Sequence, residues 1–377
     1  MNKKRSIAVL FGGVSPEHEV SIITALQVLE QIDREKFFSY AIKQGQDGLF
    51  YYYKNLKLKK DFIKIKPQVI NFTSDKKGVY FKSKSIIGNK NYIDCIYLCF
   101  HGGDGESGKI QGFFDTLGVA YTSSNVEGSS ISMNKVLTKE VLDIKGIKNV
   151  SYVNVFDYEI QLDVDKTVDN IKNILKLPVI LKPAHLGSSI GINIAKTDIE
   201  LKKYLLEVSH IDSEILVEKF MTNFVEYNIS ARSINGKIEV SEIEKPVSKD
   251  EILSFADKYQ RGGKKTGGMA SLSRELPAKI NSKLKKQIED NAINAYKAIR
   301  AKGLVRIDFM YSNKHILCLT EINPIPGSMA FYLWEASGIS FKDQITDLVN
   351  EAIVDFTKNK SKRLDYKSDI VEKFISQ

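Results

Sequence analysis

The stretch Val305-Arg306-Ile307-Asp308-Phe309-Met310, followed after a polar turn by Ile316-Leu317-Cys318-Leu319-Thr320-Glu321-Ile322-Asn323, decides how the chain is read. Both runs alternate polar and apolar residues, so each is a strand with one polar and one apolar face. A two- or four-residue loop through Asn313-Lys314 would pair them with Arg306 opposite Glu321 and Asp308 opposite Leu319. Arg306, Asp308, Glu321 and Asn323 then share one face. Oxygen ligands beside a guanidinium make a seat for Mg²⁺ and the phosphates it carries. A hairpin with a merely solvated charged face has the same pattern. The residues after Asn323 favour a site: Pro324-Ile325-Pro326-Gly327-Ser328 makes a rigid turn whose backbone N–H groups can face an oxyanion.

Upstream, Leu177-Pro178-Val179-Ile180-Leu181-Lys182-Pro183 puts a lysine at the end of a buried strand. Lysine there costs desolvation unless an anion is waiting. The next Gly- and Ser-containing segment, with Gly187-Ser188-Ser189-Ile190-Gly191, can wrap a phosphate with its amides. It is not a Walker A loop, because the GxxxxGK[ST] order is absent. A core lysine that snorkels to solvent is the plainer reading. The N-terminal Phe11-Gly12-Gly13-Val14-Ser15-Pro16-Glu17-His18-Glu19 lacks the GxGxxG spacing of a dinucleotide loop. Glu17 is either a helix-end residue or the partner of a substrate ammonium. Local reasoning leaves both open.

Around these segments the first third alternates strand and helix: strands at 6–11 and 93–100, helices at 20–29 and 108–117. That order argues for a doubly wound α/β unit with its site at the carboxyl ends of the strands. A helix at 134–142 and strands at 150–156 and 179–182 come next. The last part is strand-rich and ends in an amphipathic helix at 340–356. The expected units are 1–133, 134–213 and 214–358, with a lysine-rich tail at 359–377 that is loosely attached or helical.

Composition narrows the function classes. With 377 residues, 43% hydrophobic and 27% charged, the chain is an ordinary globular protein with room for two or three cores. No run of about 18 apolar residues is present, which argues against a membrane span. The basic start leads straight into Ile7-Ala8-Val9-Leu10, too short for a signal sequence, so a cytoplasmic location is expected. Cys95, Cys99 and Cys318 form no CxxC pair and lie in apolar runs, as small core residues do. The net charge of +9 is spread along the chain with no basic–aromatic groove, so no nucleic-acid partner is expected.

Taken together, these segments resemble the D-alanine–D-alanine ligase family of ATP-grasp carboxylate–amine ligases, over nearly the whole chain up to Ala352. The specific feature is the order of motifs: Gly12-Gly13 with Ser15 and Glu17; His101-Gly102 and Gly105-Glu106 leading to Gln111-Gly112; Ser132-Met133-Asn134-Lys135. Lys182-Pro183 with Gly187-Ser188-Ser189 comes after these, then Val217-Glu218-Lys219, Arg306-Ile307-Asp308, and Glu321-Ile322-Asn323 through Gly327. The resemblance implies an α/β, three-lobed ATP-grasp fold. It also implies a ligase that joins two D-alanine molecules through an acyl phosphate for peptidoglycan precursor synthesis.

By matching position, Lys135, Lys182 and Ser189 would bind ATP phosphates, and Glu218 would accept from the adenine amino group. Lys219 to Met221 would complete the adenine slot, and Glu226 would hold the ribose. Asp308, Glu321 and Asn323 would bind two Mg²⁺ ions (or Mn²⁺), with Glu321 bridging. Lys258 and Tyr259 would lie on a closing loop, Tyr259 forming a trio with Glu17 and Ser188 that holds the donor's ammonium. Arg306 and the Gly327 N–H would face the oxyanion. His101, Tyr332 and Leu333 would fall at substrate positions. Small-molecule amino acids are the expected partners, and the family implies a homodimer.

The chain departs from the pattern in places. Asn134 stands where Asp is usual, and Pro324 where Thr is. Arg261-Gly262-Gly263-Lys264-Lys265-Thr266-Gly267-Gly268 is unusually glycine-rich. In Ser328-Met329-Ala330-Phe331-Tyr332-Leu333-Trp334, Tyr332 falls where a carboxylate-gripping Ser is expected. That stretch is either core packing or a remodelled acceptor pocket. The alternatives are therefore a ligase for D-Ser, D-lactate or another amine, or a nucleotide-binding relative that no longer ligates.

Overall fold

The computed structural model describes residues 4–83, 89–247, 273–361 and 368–376. The run Ile7-Ala8-Val9-Leu10-Phe11 is fully buried and forms β1 (Arg5–Gly12), which leads into α1 (His18–Gln31). β2 (Phe37–Gln44) pairs parallel to β1. β3 (Phe50–Tyr53), β4 (Gln68–Asp75), β5 (Gly78–Ser83) and β6 (Asn91–Tyr92) extend the sheet as an antiparallel meander. On the other side of β1, β7 (Cys95–Leu98) and, after α2 (Lys109–Leu117), β8 (Ala120–Tyr121) add in parallel. The eight-stranded sheet is therefore parallel around β1 and antiparallel at one flank. The β1 and β7 carboxyl ends deliver Gly12-Gly13 and His101-Gly102 to one edge, as a parallel centre requires.

α3 (Val126–Met133) and α4 (Lys135–Ile144) lead into a four-stranded antiparallel sheet. Its members are β9 (Tyr152–Phe156), β10 (Val179–Pro183), β11 (Asn193–Ala195) and β12 (Glu214–Lys219), with α5 (Asp157–Ile174) and α6 (Asp198–Ser209) between them. The Asn134 side chain caps α4 by accepting from the Leu137 N–H, the job Asp also does at an N-cap.

The last sheet starts with β13 (Phe224–Ile234) and β14 (Lys237–Val240). A short ribbon, β15 (Lys245–Pro246) with β16 (Arg274–Glu275), brackets residues 248–272. After α7 (Ser282–Ala298), β17 (Leu304–Ser312) and β18 (Leu317–Asn323) complete the order β14-β13-β17-β18. α8 (Phe331–Ala336) and α9 (Phe341–Lys360) then pack Leu333, Trp334, Ile345 and Leu348 into the core under β1. α10 (Ile370–Ile375) has exposed apolar side chains. Among the described residues no helix is long and apolar enough to cross a membrane.

The β17–β18 hairpin corrects the expected register. Ser312 N–H donates to Ile316 O across a three-residue loop, with His315 left-handed. A bulge between Asp308 and Phe309 then adds one residue, and Thr320 fills it by donating to Asp308 O at 2.9 Å. Asp308 therefore faces Glu321, and Arg306 faces Asn323. The two one-residue offsets add to two, so the four polar side chains still share a face.

Candidate active site

One cavity meets all three sheets. On its β10–β12 wall, Ile180 lies opposite Glu218, and Lys182, two residues on, points to the same side. The Lys182 ammonium donates to one Glu218 oxygen, and Lys139 from α4 sits 2.6 Å from the other. Lys139 is 1% exposed. Burial alone would raise the Glu218 pKa, but the two ammoniums outweigh it and hold the carboxyl at about 2. Sequence reasoning did not single out Lys139. Its signal was there: Val136, Lys139 and Leu142 fall on one buried helical stripe, where a lysine needs an anion. One turn earlier, Lys135 donates to Leu186 O at 2.5 Å and lies 3.6 Å from Glu321. Val150, Ile180, Phe220 and Met221 supply an apolar slot beside Glu218, with Lys219 and Glu226 also lining the cavity.

Glu17 projects from the start of α1 into a corner between two glycines. A Cβ on Gly102 would come within 2.6 Å of its carboxylate, and one on Gly187 within 2.9 Å. Ser188 donates its hydroxyl hydrogen to Glu17 across 171 residues of chain. Ser188 and Ser189 are both left-handed, at φ 53° and 60°, a conformation that costs energy for residues with a Cβ. His101 lines the same corner and meets the Thr24 hydroxyl at 2.8 Å. Burial lowers its pKa to about 4, so the imidazole is neutral at pH 7. Glu106, buried beside it, accepts from the Gly102 and Ile325 N–H groups at 2.6 and 3.1 Å. Burial and then the nearby Glu17 raise its pKa to about 8.

On the hairpin, Arg306 grips Asp308 with two hydrogen bonds of 2.7 Å, and Asn323 donates to Asp308 at 3.3 Å. The turn after Asn323 is tied to the first sheet: Ile325 N–H to Glu106, and Ser328 N–H to the Thr24 hydroxyl at 3.1 Å. Gly327 lines the cavity between these ties. Ser328, Met329 and Ala330 are all left-handed, so the chain reverses sharply here.

That reversal sends the aromatic stretch inward. Phe331 stacks on Phe341 at 4.6 Å, Leu333 is buried, and the Trp334 indole donates to Ser230. Tyr332 and Leu333 stand behind the cavity wall rather than in it. The Tyr332 hydroxyl donates to Glu244 at 3.2 Å, and Arg274 lies over its ring at 3.8 Å. Glu244 and Arg274 line the cavity and were missed by sequence reasoning, because no spacing links 244, 274 and 332. Lys258 and Tyr259 lie outside the described residues.

The structure thus brings Glu17, His101, Lys135, Lys182, Ser188, Ser189, Glu218, Arg306, Asp308, Glu321, Asn323 and Gly327 to one cavity. The Asp308 and Glu321 carboxylates with the Asn323 amide are hard oxygen donors on one strand-pair face, a set that fits Mg²⁺. Two ammoniums beside an apolar slot fit a nucleoside polyphosphate.

Two family models match the chain, "D-ala D-ala ligase N-terminus" over residues 6–124 and "D-ala D-ala ligase C-terminus" over residues 141–350. A D-alanine–D-alanine ligase of Thermosipho melanesiensis is 34% identical, covering 96% of this chain and 97% of its own. One of Campylobacter lari is 33% identical, with 95% of each chain covered. Among solved structures, the D-alanine–D-alanine ligase of Coxiella burnetii superposes with a TM-score of 0.77 at 25% identity, over 95% of this chain and 96% of that one. The VanG D-Ala:D-Ser ligase of Enterococcus faecalis has the same fold at a TM-score of 0.77 and 24% identity, over 93% of this chain and 100% of that one.

Proposed function

The chain belongs to the D-alanine–D-alanine ligase family, and from that premise we propose that it joins two D-alanine molecules at the expense of ATP, supplying a dipeptide for peptidoglycan precursor synthesis. One observation carries the reading. The Glu17–Ser188 corner, the Lys135 and Lys182 ammoniums and the Asp308, Glu321 and Asn323 face all open into one cavity.

A carboxylate is a poor electrophile, so the donor D-alanine is first activated as an acyl phosphate. Glu17, steadied by Ser188, receives the donor's ammonium and sets its carboxylate toward the γ-phosphate. Lys135 and Lys182 neutralise charge on the transferring phosphoryl group. Asp308, Glu321 and Asn323 would hold two Mg²⁺ ions (or Mn²⁺), with Glu321 shared. Bound there, Mg²⁺ supplies further charge neutralisation for the phosphates. The second D-alanine's amine attacks the activated carbonyl. Arg306 and the Gly327 N–H face the oxyanion that forms, and phosphate leaves. Glu218 and Met221 line the adenine slot, and Glu226 reaches the ribose.

The family resemblance also carries a homodimer in the cytoplasm. Light scattering at the 42.5 kDa of one chain would remove the dimer. The test of the reaction is phosphate release from ATP and Mg²⁺ against D- and L-amino acids and hydroxy acids, with products identified by mass. D-Alanine alone should release phosphate and give the dipeptide. No product from D-alanine, with a mixed product elsewhere in the panel, would replace the acceptor. No amino-acid-dependent release at all would remove the ligase reading.

A further inference from the structure

The wall beyond Arg306 contains groups that the proposed reaction does not use. Glu244 is 2% exposed yet lines the cavity. Its backbone is fixed by reciprocal hydrogen bonds with Asn228, at 2.9 and 3.0 Å. Its carboxylate accepts from Asn228 Nδ2 at 3.0 Å, Tyr332 Oη at 3.2 Å and Arg274 Nη1 at 2.9 Å. A carboxylate so buried and so fully addressed is a fixed anchor.

What it anchors is Arg274. One edge of that guanidinium is held by Glu244, and one face lies on the Tyr332 ring at 3.8 Å. A planar group fixed on one edge and one face has little rotamer freedom left to lose on binding. Tyr332 is therefore a backing plate: it stands behind the wall, while Arg274 lines the cavity. Both arginines at this end are ion-paired, Arg306 with Asp308 and Arg274 with Glu244. Arg306 is drawn to the strand face assigned to divalent cations, so Arg274 is the guanidinium that lines the cavity on the far side of Arg306.

We propose that Arg274, held in place by Glu244 and Tyr332, is a specificity-determining residue that binds the carboxylate of the second amino acid. This rests on the ligase reading above, in which ATP and the donor occupy the Glu218 and Glu17 ends of the cavity. It also explains why a bulky tyrosine is accommodated at 332. The hydroxyl there is turned to Glu244, and the recognition of the carboxylate has moved to the guanidinium that the ring supports.

A competition between two acceptors tests this. D-Alanine and D-alaninamide are supplied together with ATP and Mg²⁺, and the dipeptide and dipeptide amide are counted by mass. The amide lacks a carboxylate and cannot serve as donor, so it reports on the acceptor end alone. Wild type should prefer D-alanine as acceptor by roughly 100-fold, within the worth of the charged hydrogen bonding that the amide forgoes. In Arg274→Gln the preference should fall by roughly 30-fold, the value of one charge-assisted hydrogen bond, with KM for ATP and for the donor unchanged. Arg274→Lys, which keeps a cation against Glu244, should recover part of it, and Tyr332→Phe, which keeps the ring, most of it. Unchanged acceptor preference in Arg274→Gln and Arg274→Lys would overturn the proposal. So would a uniform rise of every KM with a fall in melting temperature, which would make Arg274 only a latch of the β15–β16 ribbon. Wild type that forms neither product would instead overturn the ligase reading, independently of Arg274.

Discussion

Glu218 and Glu106 face the same cavity, both buried, and are held in opposite protonation states. Glu218 is kept at about 2 and Glu106 is raised to about 8. Burial pushes both upward, so neighbours make the difference. Glu218 has an ammonium on each oxygen. Glu106 accepts two backbone N–H bonds but shares its surroundings with Glu17 and Glu321. One wall sets two ammoniums against one carboxylate and so keeps a net positive charge, which suits phosphates. The other crowds carboxylates together, which is what a site that receives cations, a substrate ammonium or a divalent metal, has to offer.

The largest effect expected from disturbing that contrast is on the crowded side. Glu321→Gln should cut dipeptide formation by roughly a thousandfold, because the shared metal ligand loses its charge. Near-normal phosphate release in this variant would remove the metal assignment. The same change takes a negative neighbour from Glu106 and should lower its pKa.

On the lysine side, Lys139→Met should destabilise the protein by about 3 kcal/mol in denaturant titrations, since it breaks a buried pair and leaves Glu218 with one ammonium. It should also narrow the pH contrast. The depressed Glu218 pKa contributes stability that is present above the unfolded value of 4.5 and lost as pH falls toward 2. In Lys139→Met the folded pKa moves back toward 4.5, so the stability lost between pH 4.5 and pH 2 should shrink. An unchanged acid limb would show that Lys182 alone sets the Glu218 charge.

Glu106 has the opposite sign. Its raised pKa means the folded protein binds a proton that the unfolded chain releases above 4.5, so the wild type should lose stability as pH rises from 4.5 toward 8. Melted without divalent cations, wild type should lose about 3 kcal/mol relative to Glu106→Gln between pH 5 and pH 8, because the glutamine cannot titrate. A pH-independent difference would place Glu106 with Glu218 as an ionised group and erase the contrast. The smallest expected effect is kinetic: Glu17→Ala should raise the donor KM about tenfold and leave KM for ATP alone, as loss of one charged hydrogen bond predicts. An unchanged donor KM would make Glu17 a helix-end residue.

The two sides also differ in how much of them could be read beforehand. Lys182 was legible as a lysine ending a buried strand, and Glu218 only through the order of motifs that the family shares. Asp308, Glu321 and Asn323 lie on an alternating hairpin, where a period of two puts them on one face even when the register moves by two. The expected register of the hairpin was wrong by two residues, through a three-residue loop and a bulge, and the face survived because two is the period. Lys139 was legible in principle, as a lysine inside a buried helical stripe.

The sequence by itself determined the α/β class, the order of the motifs and which charged residues share a strand face, because these depend on local periodicity and glycine-bearing turns. It also showed that something had changed at Tyr332. What the change does was decided only by the tertiary structure. Three consecutive left-handed residues turn the chain so that the Tyr332 hydroxyl meets Glu244 from another strand edge, beneath Arg274 from the β15–β16 ribbon. Glu106 likewise has its pKa raised by burial and then by Glu17 and Glu321, 89 positions before it and 215 after it. Charge, burial and stacking act through space over a few ångströms, so these partnerships leave no periodic trace along the chain.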